Sequence, residues 1–232
     1  MFRNDYKKIY IYTSLSILVI VLGFIFQIRK TELVNKQIRT ESPFTVPHKK
    51  DHYLLYNDNA TFTFITYFSF DCRHCRDAFL LEKELLSSLP EKIKNTTNII
   101  YRHNPLVSQP LSFEKAVISE CVYNVAGDNG FFMFMNDMFS GYVESKDNAW
   151  VLQLSEKYLK DKNSFATCIK SQDTHKKVQL QKNENIISGI TYTPTMLVFK
   201  GDSFVANYDG MSGKAIHIIL RGYFNSLSSK NK

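Results

Sequence analysis

Chain breakers are scarce in this sequence: six prolines and nine glycines among 232 residues, with no motif recurring at a fixed spacing. That excludes collagen-like, low-complexity and solenoid architectures. No charge of one sign dominates. The 29 basic residues outnumber the 22 acidic ones by seven, but the lysines are scattered and no basic helix interleaved with aromatics occurs, so a nucleic-acid interface is not indicated. The single tryptophan, Trp150, carries no specific signal. With 44% hydrophobic and 14% aromatic residues, disorder throughout is excluded, and the length suits one good core rather than two full domains. Only four cysteines are present, so any disulfide or thiolate-metal chemistry falls to Cys72, Cys75, Cys121 and Cys168.

What is there begins with a long apolar run. Residues 9–28, IYIYTSLSILVIVLGFIFQI, contain no charge, and about twenty residues at about 1.5 Å each span about 30 Å of hydrocarbon. A cleaved signal peptide has a shorter apolar core and a small-residue cleavage site, whereas this run ends in Gln27, Ile28, Arg29 and Lys30, so it reads as an uncleaved signal anchor, with cleavage the alternative. Arg3, Lys7 and Lys8 on one side face Arg29, Lys30, Lys36 and Arg39 on the other, so charge sets the orientation poorly. Residues 1–8 are then a short cytoplasmic N-terminus, and 29–52, polar and carrying Pro43 and Pro47, a spacer. His48, Lys49, Lys50 and His52 read as part of a solvated stalk in preference to a metal or lipid patch.

The remainder reads as α/β. Residues 53–56 and the alternating TFTFITYF at 61–68 predict two strands joined by the turn residues Asn57-Asp58-Asn59. Cys75, Ala78, Phe79, Glu82, Leu85, Leu86 and Leu89 fall at helical spacing until Pro90 stops them. Residues 98–101 predict a further strand. Longer amphipathic stretches from about 112 to 188 predict a helical block, followed by strands at 195–200 and 203–208 around Gly201-Asp202, a helix at 214–225 and a disordered tail at 228–232. A βαβ half, a central helical insertion and a ββα half make a thioredoxin-type fold. Phe131, Phe132, Phe134 and Met138 read as helical core, and His103 as a strand-end polar residue rather than a base.

Cys72-Arg73-His74-Cys75 opens the first of these helices. Cysteines at i and i+3 bring their sulfurs within bonding reach, and the first sits in the field of the helix dipole. Unpaired backbone N–H groups stabilise a thiolate there, and Arg73 and His74 supply nearby positive charge. A stabilised thiolate favours the reduced pair and makes the disulfide an oxidant. The alternatives are half of a zinc site, which would need Cys121 and Cys168 as further ligands, and a purely structural disulfide in a very short loop.

The run FSFDCRHC ending at Cys75, with Thr193-Pro194 entering a strand far downstream, resembles the DsbA-like thiol:disulfide oxidoreductases of the thioredoxin superfamily. YRHNPL at 101–106, Cys121 followed by the Gly130-Phe131-Phe132 and Met138-Phe139 pairs, Phe165 three residues before Cys168, and GITYTPT at 189–195 extend the resemblance over 53–227. It implies that Pro194 is cis, and that the backbone around Thr193 receives the substrate chain beside Cys72. It further implies that Cys121 and Cys168 form a second disulfide, against two buried free thiols. Two departures stand out. Arg73 occupies a position where many such enzymes carry proline, and Thr66 replaces the buried acid found six residues before the first cysteine, leaving proton transfer to the second cysteine without a named acceptor.

The resemblance and the chemistry imply a membrane-anchored, periplasmic or extracytoplasmic oxidoreductase that introduces disulfides into exported proteins, since an oxidising CxxC is useless in a reducing cytosol. Cys72 is the sulfur attacked, Cys75 the resolving thiol, Arg73 and His74 the tuning charges, and Thr193 with Pro194 the substrate platform. No cofactor or metal is expected. A single-pass inner-membrane monomer, reoxidised by a quinone-linked membrane partner of the DsbB or VKOR type, completes the expectation. A reductase or isomerase of the same fold, or a tethered binding or chaperone module without turnover, are the alternatives.

Overall fold

The computed structural model describes Gly23, Phe44 and residues 46–109, 111–141 and 147–229. Apart from Gly23, the apolar run at 9–28 lies outside the described residues, as does the spacer up to residue 43. Among the described residues no helix is long and apolar enough to cross a membrane. The chain divides into units at 1–43 and 44–232, and the elements below belong to the second.

In chain order these are β1 (His52–Leu55), β2 (Phe62–Phe68), α1 (Arg73–Ser88), α2 (Glu91–Lys94), β3 (Thr97–His103), α3 (Ser112–Ser140), α4 (Asn148–Ser155), α5 (Lys162–Lys170), α6 (Gln172–Ile187), β4 (Thr195–Lys200), β5 (Ser203–Tyr208) and α7 (Gly213–Ser229). The strands form one five-stranded sheet in the order β1-β3-β2-β4-β5. At its centre β2 runs parallel to β3, from Phe62 opposite Thr97 to Phe68 opposite His103, and antiparallel to β4, with Tyr67 opposite Thr195.

Side chains alternate across the central strands, as the period of two requires. Phe64, Phe68, Ile99, Tyr101, Met196 and Val198 join Phe79 of α1, Phe131, Phe134 and Phe139 of α3, and Leu220 and Phe224 of α7 in the main core. On the other face Ile65, Tyr67, Ile100, Leu197 and Phe199 pack with Ile190. Phe132 and Met138, read from the sequence as helical core, are buried as well.

The two first strands are not partners. β1 pairs antiparallel with β3, because both sides of β2 are already taken by β3 and β4. The turn between them is instead pinned to the start of β3: the Asn57 amide donates to the Lys94 and Thr97 carbonyls at 2.6 and 2.9 Å. The expected stalk also ends earlier than its composition indicates. Asp51 and His52 are buried, Asp51 by a two-pronged bond from Arg102 at 2.7 Å on each oxygen. At the other end, α7 continues to Ser229, so residues 228 and 229 are helix rather than tail.

His52 belongs to a charge node that fastens the helical block to the sheet. Its Nε2 lies 2.9 Å from Glu120 on α3, and Lys177 on α6 donates to the second oxygen at 2.6 Å. His103, at the end of β3, sits 3.6 Å from the same carboxylate, and burial pushes its imidazole down to about 3, so it stays neutral. Within the block, Cys121 of α3 and Cys168 of α5 are joined by a disulfide with their Cα atoms 5.6 Å apart. The 29-residue α3 bends at Gly127, whose φ of 67° is the left-handed conformation glycine adopts without steric cost.

Candidate active site

β2 ends at Phe68 and, after four intervening residues, the chain enters α1 at Arg73, so the helix start stands at the edge of the sheet. Cys72 is the N-cap residue of α1: its sulfur accepts the Cys75 N–H at 3.3 Å, one of the donors that a helix start leaves unpaired. Cys75, one turn on, is fully inside the core at 1% exposure, and both are thiols. Cys72 retains 8% of its surface, less than a helix-end position would give alone, because a second segment covers it.

That segment is the entry to β4. Thr195 of β4 pairs with Tyr67 of β2, so the residues before β4 arrive at the edge from which α1 leaves. The Thr193–Pro194 bond is cis, and the Cys72 thiol donates to the Thr193 carbonyl at 3.3 Å. Asn104, directly after β3, holds this loop by donating its amide to the carbonyls of Ile190 and Tyr192, both at 3.4 Å, while its backbone N–H bonds Phe68 at 2.7 Å. One residue thus ties β2, β3 and the proline loop together. Beside it Gln109 donates to the Asp71 carbonyl at 2.9 Å, and Lys115 of α3 pairs with the Asp71 carboxylate. Tyr192 stands 63% exposed next to Thr193.

The electrostatics separate the two sulfurs. The Cys72 thiol is drawn down to about 6, chiefly by the Cys75 thiol that bonds it, against the opposing effect of burial, with help from the Thr193 side chain and the N–H groups of Cys75 and His74. Burial pushes the Cys75 thiol well above its ordinary range, and the neighbouring Cys72 adds to the rise. One sulfur is an available nucleophile and leaving group at neutral pH, and the other is a shielded thiol.

The residues expected from the sequence fall into two sets. Cys72, Cys75, Thr193 and Pro194 converge on this one edge. Arg73 and His74 flank it with exposed side chains, and the part of His74 that stabilises the thiolate is its backbone N–H. Cys121 and Cys168 are bonded to each other, which removes them as zinc ligands for the CxxC pair. Of the remaining metal-ligating side chains, His52, His103 and Glu120 place ligand atoms within 4.8 Å of one another, but the carboxylate is already engaged by His52 and Lys177. Asn104, Gln109 and Lys115 were not legible as site residues. The signal for Asn104 is its place between a strand and Pro105.

Comparison with known proteins accords with this geometry. No curated protein sequence matches the chain. Among solved structures it is similar to α-DsbA1 of Wolbachia pipientis, with a TM-score of 0.63 at 19% identity, covering 81% of this chain and 97% of that one. The thiol-disulfide exchange protein α-DsbA2 of the same organism gives 0.57 at 20% identity over 77% and 88%, and oxidised BdbD of Bacillus subtilis gives 0.62 at 16% over 79% and 95%. At these identities the likeness is one of fold, the DsbA-like form of the thioredoxin fold. The family model described as Thioredoxin matches residues 49–212, well over half of the sequence, and on that match, with the strand–CxxC–helix unit and the cis-proline loop facing it, the chain belongs to the thioredoxin family.

Proposed function

We propose that the protein is a thiol:disulfide oxidoreductase that introduces disulfides into exported proteins. The observation that carries this reading is the Cys72 sulfur, held at a helix start against the Thr193 carbonyl of a cis-proline loop. A substrate thiolate attacks Cys72 of the oxidised pair, the bond to Cys75 breaks, and a mixed disulfide forms. A second substrate thiolate then attacks the substrate sulfur of that bond, which releases an oxidised substrate and the Cys72 thiolate. The stability of that thiolate makes it the better leaving group and gives the exchange its direction. Residues 193 and 194 present backbone without an N–H at the proline, a platform for an extended substrate segment beside Cys72. The thiol-disulfide exchange protein to which the chain is similar in fold supports the same chemistry.

Such an oxidant belongs in an oxidising compartment, and the Cys121–Cys168 disulfide suits one. We therefore place the catalytic unit outside the cytoplasm, tethered through residues 9–28 to the inner membrane of a bacterium, with a quinone-linked membrane protein of the DsbB or VKOR type returning the pair to the disulfide. The test is alkylation of the thiols in intact cells, with carbonate extraction of the membranes alongside. Cys72 and Cys75 mostly oxidised, in a chain that stays with the membrane, is the expected result. A mostly reduced pair overturns the oxidase in favour of a reductase, and a shortened soluble chain overturns the anchor.

A further inference from the structure

Next to the exchange sulfur stands an aromatic ring that the core of the protein does not use. Tyr192 directly precedes Thr193, whose carbonyl accepts the Cys72 thiol at 3.3 Å, and it is 63% exposed. Single exposed rings are common on protein surfaces and by themselves carry no message. Three observations distinguish this one. Its backbone is fixed, because the Tyr192 carbonyl accepts the Asn104 amide at 3.4 Å and lies 3.0 Å from the Thr195 hydroxyl. Its base rests on Gly210, in the turn between β5 and α7, where an added Cβ would come within 3.3 Å of the Tyr192 Cβ and 3.4 Å of its Cγ. The same Thr195 hydroxyl accepts the Gly210 N–H at 3.4 Å, so seat and ring are tied to one residue of β4. Finally, among the described residues Tyr192 belongs to none of the apolar clusters.

A ring mounted in this way is held ready beside the place where a substrate chain must lie. Side chains of an extended segment alternate between its two faces, so the residues two places from a cysteine share its face, about 7 Å along the segment. A cysteine pointing at Cys72 therefore turns these same neighbours toward the protein. Resting on the reading of Cys72 and Cys75 as an exchanging pair with the proline loop as platform, we propose that Tyr192 is a specificity-determining residue. It selects substrate cysteines that carry an aromatic or large aliphatic side chain two places away in an extended segment. Such a side chain covers the ring and removes apolar surface of both partners from water, whereas a serine or a charged residue leaves the ring wet. The fixed backbone and the glycine seat mean that little freedom of Tyr192 is lost on binding. Tyr192 touches neither cysteine sulfur; it acts on which chain is held there and leaves the exchange chemistry alone.

The test uses the reduced full-length protein and symmetric disulfides of short peptides, each with a central cysteine and either phenylalanine or serine two places away on both sides. The Cys72 thiolate attacks one peptide sulfur, a mixed disulfide forms, and the other peptide leaves as its thiolate. Acid quenching and the mass of the protein give the second-order rate constant, and each rate is divided by that of glutathione attacking the same disulfide. Hydroxyethyl disulfide, which has no peptide chain, reports on the sulfur alone. In the parent the phenylalanine peptide should react about three- to tenfold faster than the serine peptide. Tyr192→Ala should abolish this preference while its rate with hydroxyethyl disulfide stays unchanged, and Tyr192→Phe should keep both. Equal rates with the two peptides in the parent, a preference that survives Tyr192→Ala, or a Tyr192→Ala variant slowed alike with every disulfide overturns the proposal. A parent protein whose Cys72 does not react with hydroxyethyl disulfide would instead overturn the reading of Cys72.

Discussion

The sharpest consequence of the site concerns how much the Cys72 thiolate contributes to redox poise, and from where. A thiol lowered from 9.0 to about 6 is about 90% thiolate at pH 7, against about 1% for an unshifted one. The reduced state is thereby favoured about tenfold at pH 7, about 1.4 kcal/mol, and for a two-electron couple this raises the potential by about 30 mV. The whole fall from 9.0 to about 6 does not count at pH 7, because a thiol at 9.0 would still be protonated there. The sign follows from the depressed value: the gain is fully present above about 9, shrinks as pH falls, and is lost as pH drops through about 6. Because the bonded Cys75 thiol is the largest influence, Cys75→Ala should raise the Cys72 value by at least about one unit. His74→Ala, which keeps the backbone N–H, should shift it less. Thiolate ultraviolet absorbance against pH measures the variants, and equilibration of the parent with glutathione buffers at several pH values measures the potential. A parent Cys72 titrating near the ordinary value of about 8.5, or a His74→Ala shift larger than that of Cys75→Ala, would refute the reasoning.

Replacing Cys121 and Cys168 together by serine opens a loop with a separation of 47, for which chain entropy gives about 4 kcal/mol as an upper figure. The denaturant midpoint should fall accordingly while Cys72 still reacts with an aromatic disulfide dye that releases a coloured thiolate, and an unmoved midpoint would show the bond to be idle. At the start of α7 a Cβ added to Gly213 would run into the Ala78 nitrogen and meet the His74 carbonyl at 2.7 Å, both backbone atoms of α1. Gly213→Ala should therefore destabilise by about 1–3 kcal/mol and disturb the Cys72 titration, whereas an unaltered melting temperature would show that α1 and α7 can move apart freely.

Local signals in the sequence served the site well where the chemistry is local. Cys72 and Cys75 lie one helical turn apart, and the central strands announce themselves by alternation. What escaped depends on partners distant in the chain. β1 follows turn residues that suit a hairpin, yet its partner is set by which side of β2 is free. His52 looked like stalk because its neighbours are lysines, and its burial follows from Glu120, 68 residues away. Glu82 is a single acid on an apolar helix face, where only the fold reveals whether the chain has hidden it or turned it to water. Arg73 and His74 were read as tuning charges from adjacency, but residues directly after a helix cap do not share a face with it.

The central sheet has a topological economy that bears on how this chain tolerates change. β3 runs parallel to β2 and ends at the edge where α1 begins, and β4 runs the other way and starts there. Everything from Asn104 to Pro194 therefore leaves one edge and comes back to it, and in polymer terms the helical block is a single large loop. Doubling the length of a flexible loop costs only about 0.6 kcal/mol of closure entropy. With a disulfide and a charge node fastening its interior, the block can vary in length and surface, away from Asn104, Gln109, Lys115 and the proline loop that hold the site, at little expense to the sulfur chemistry.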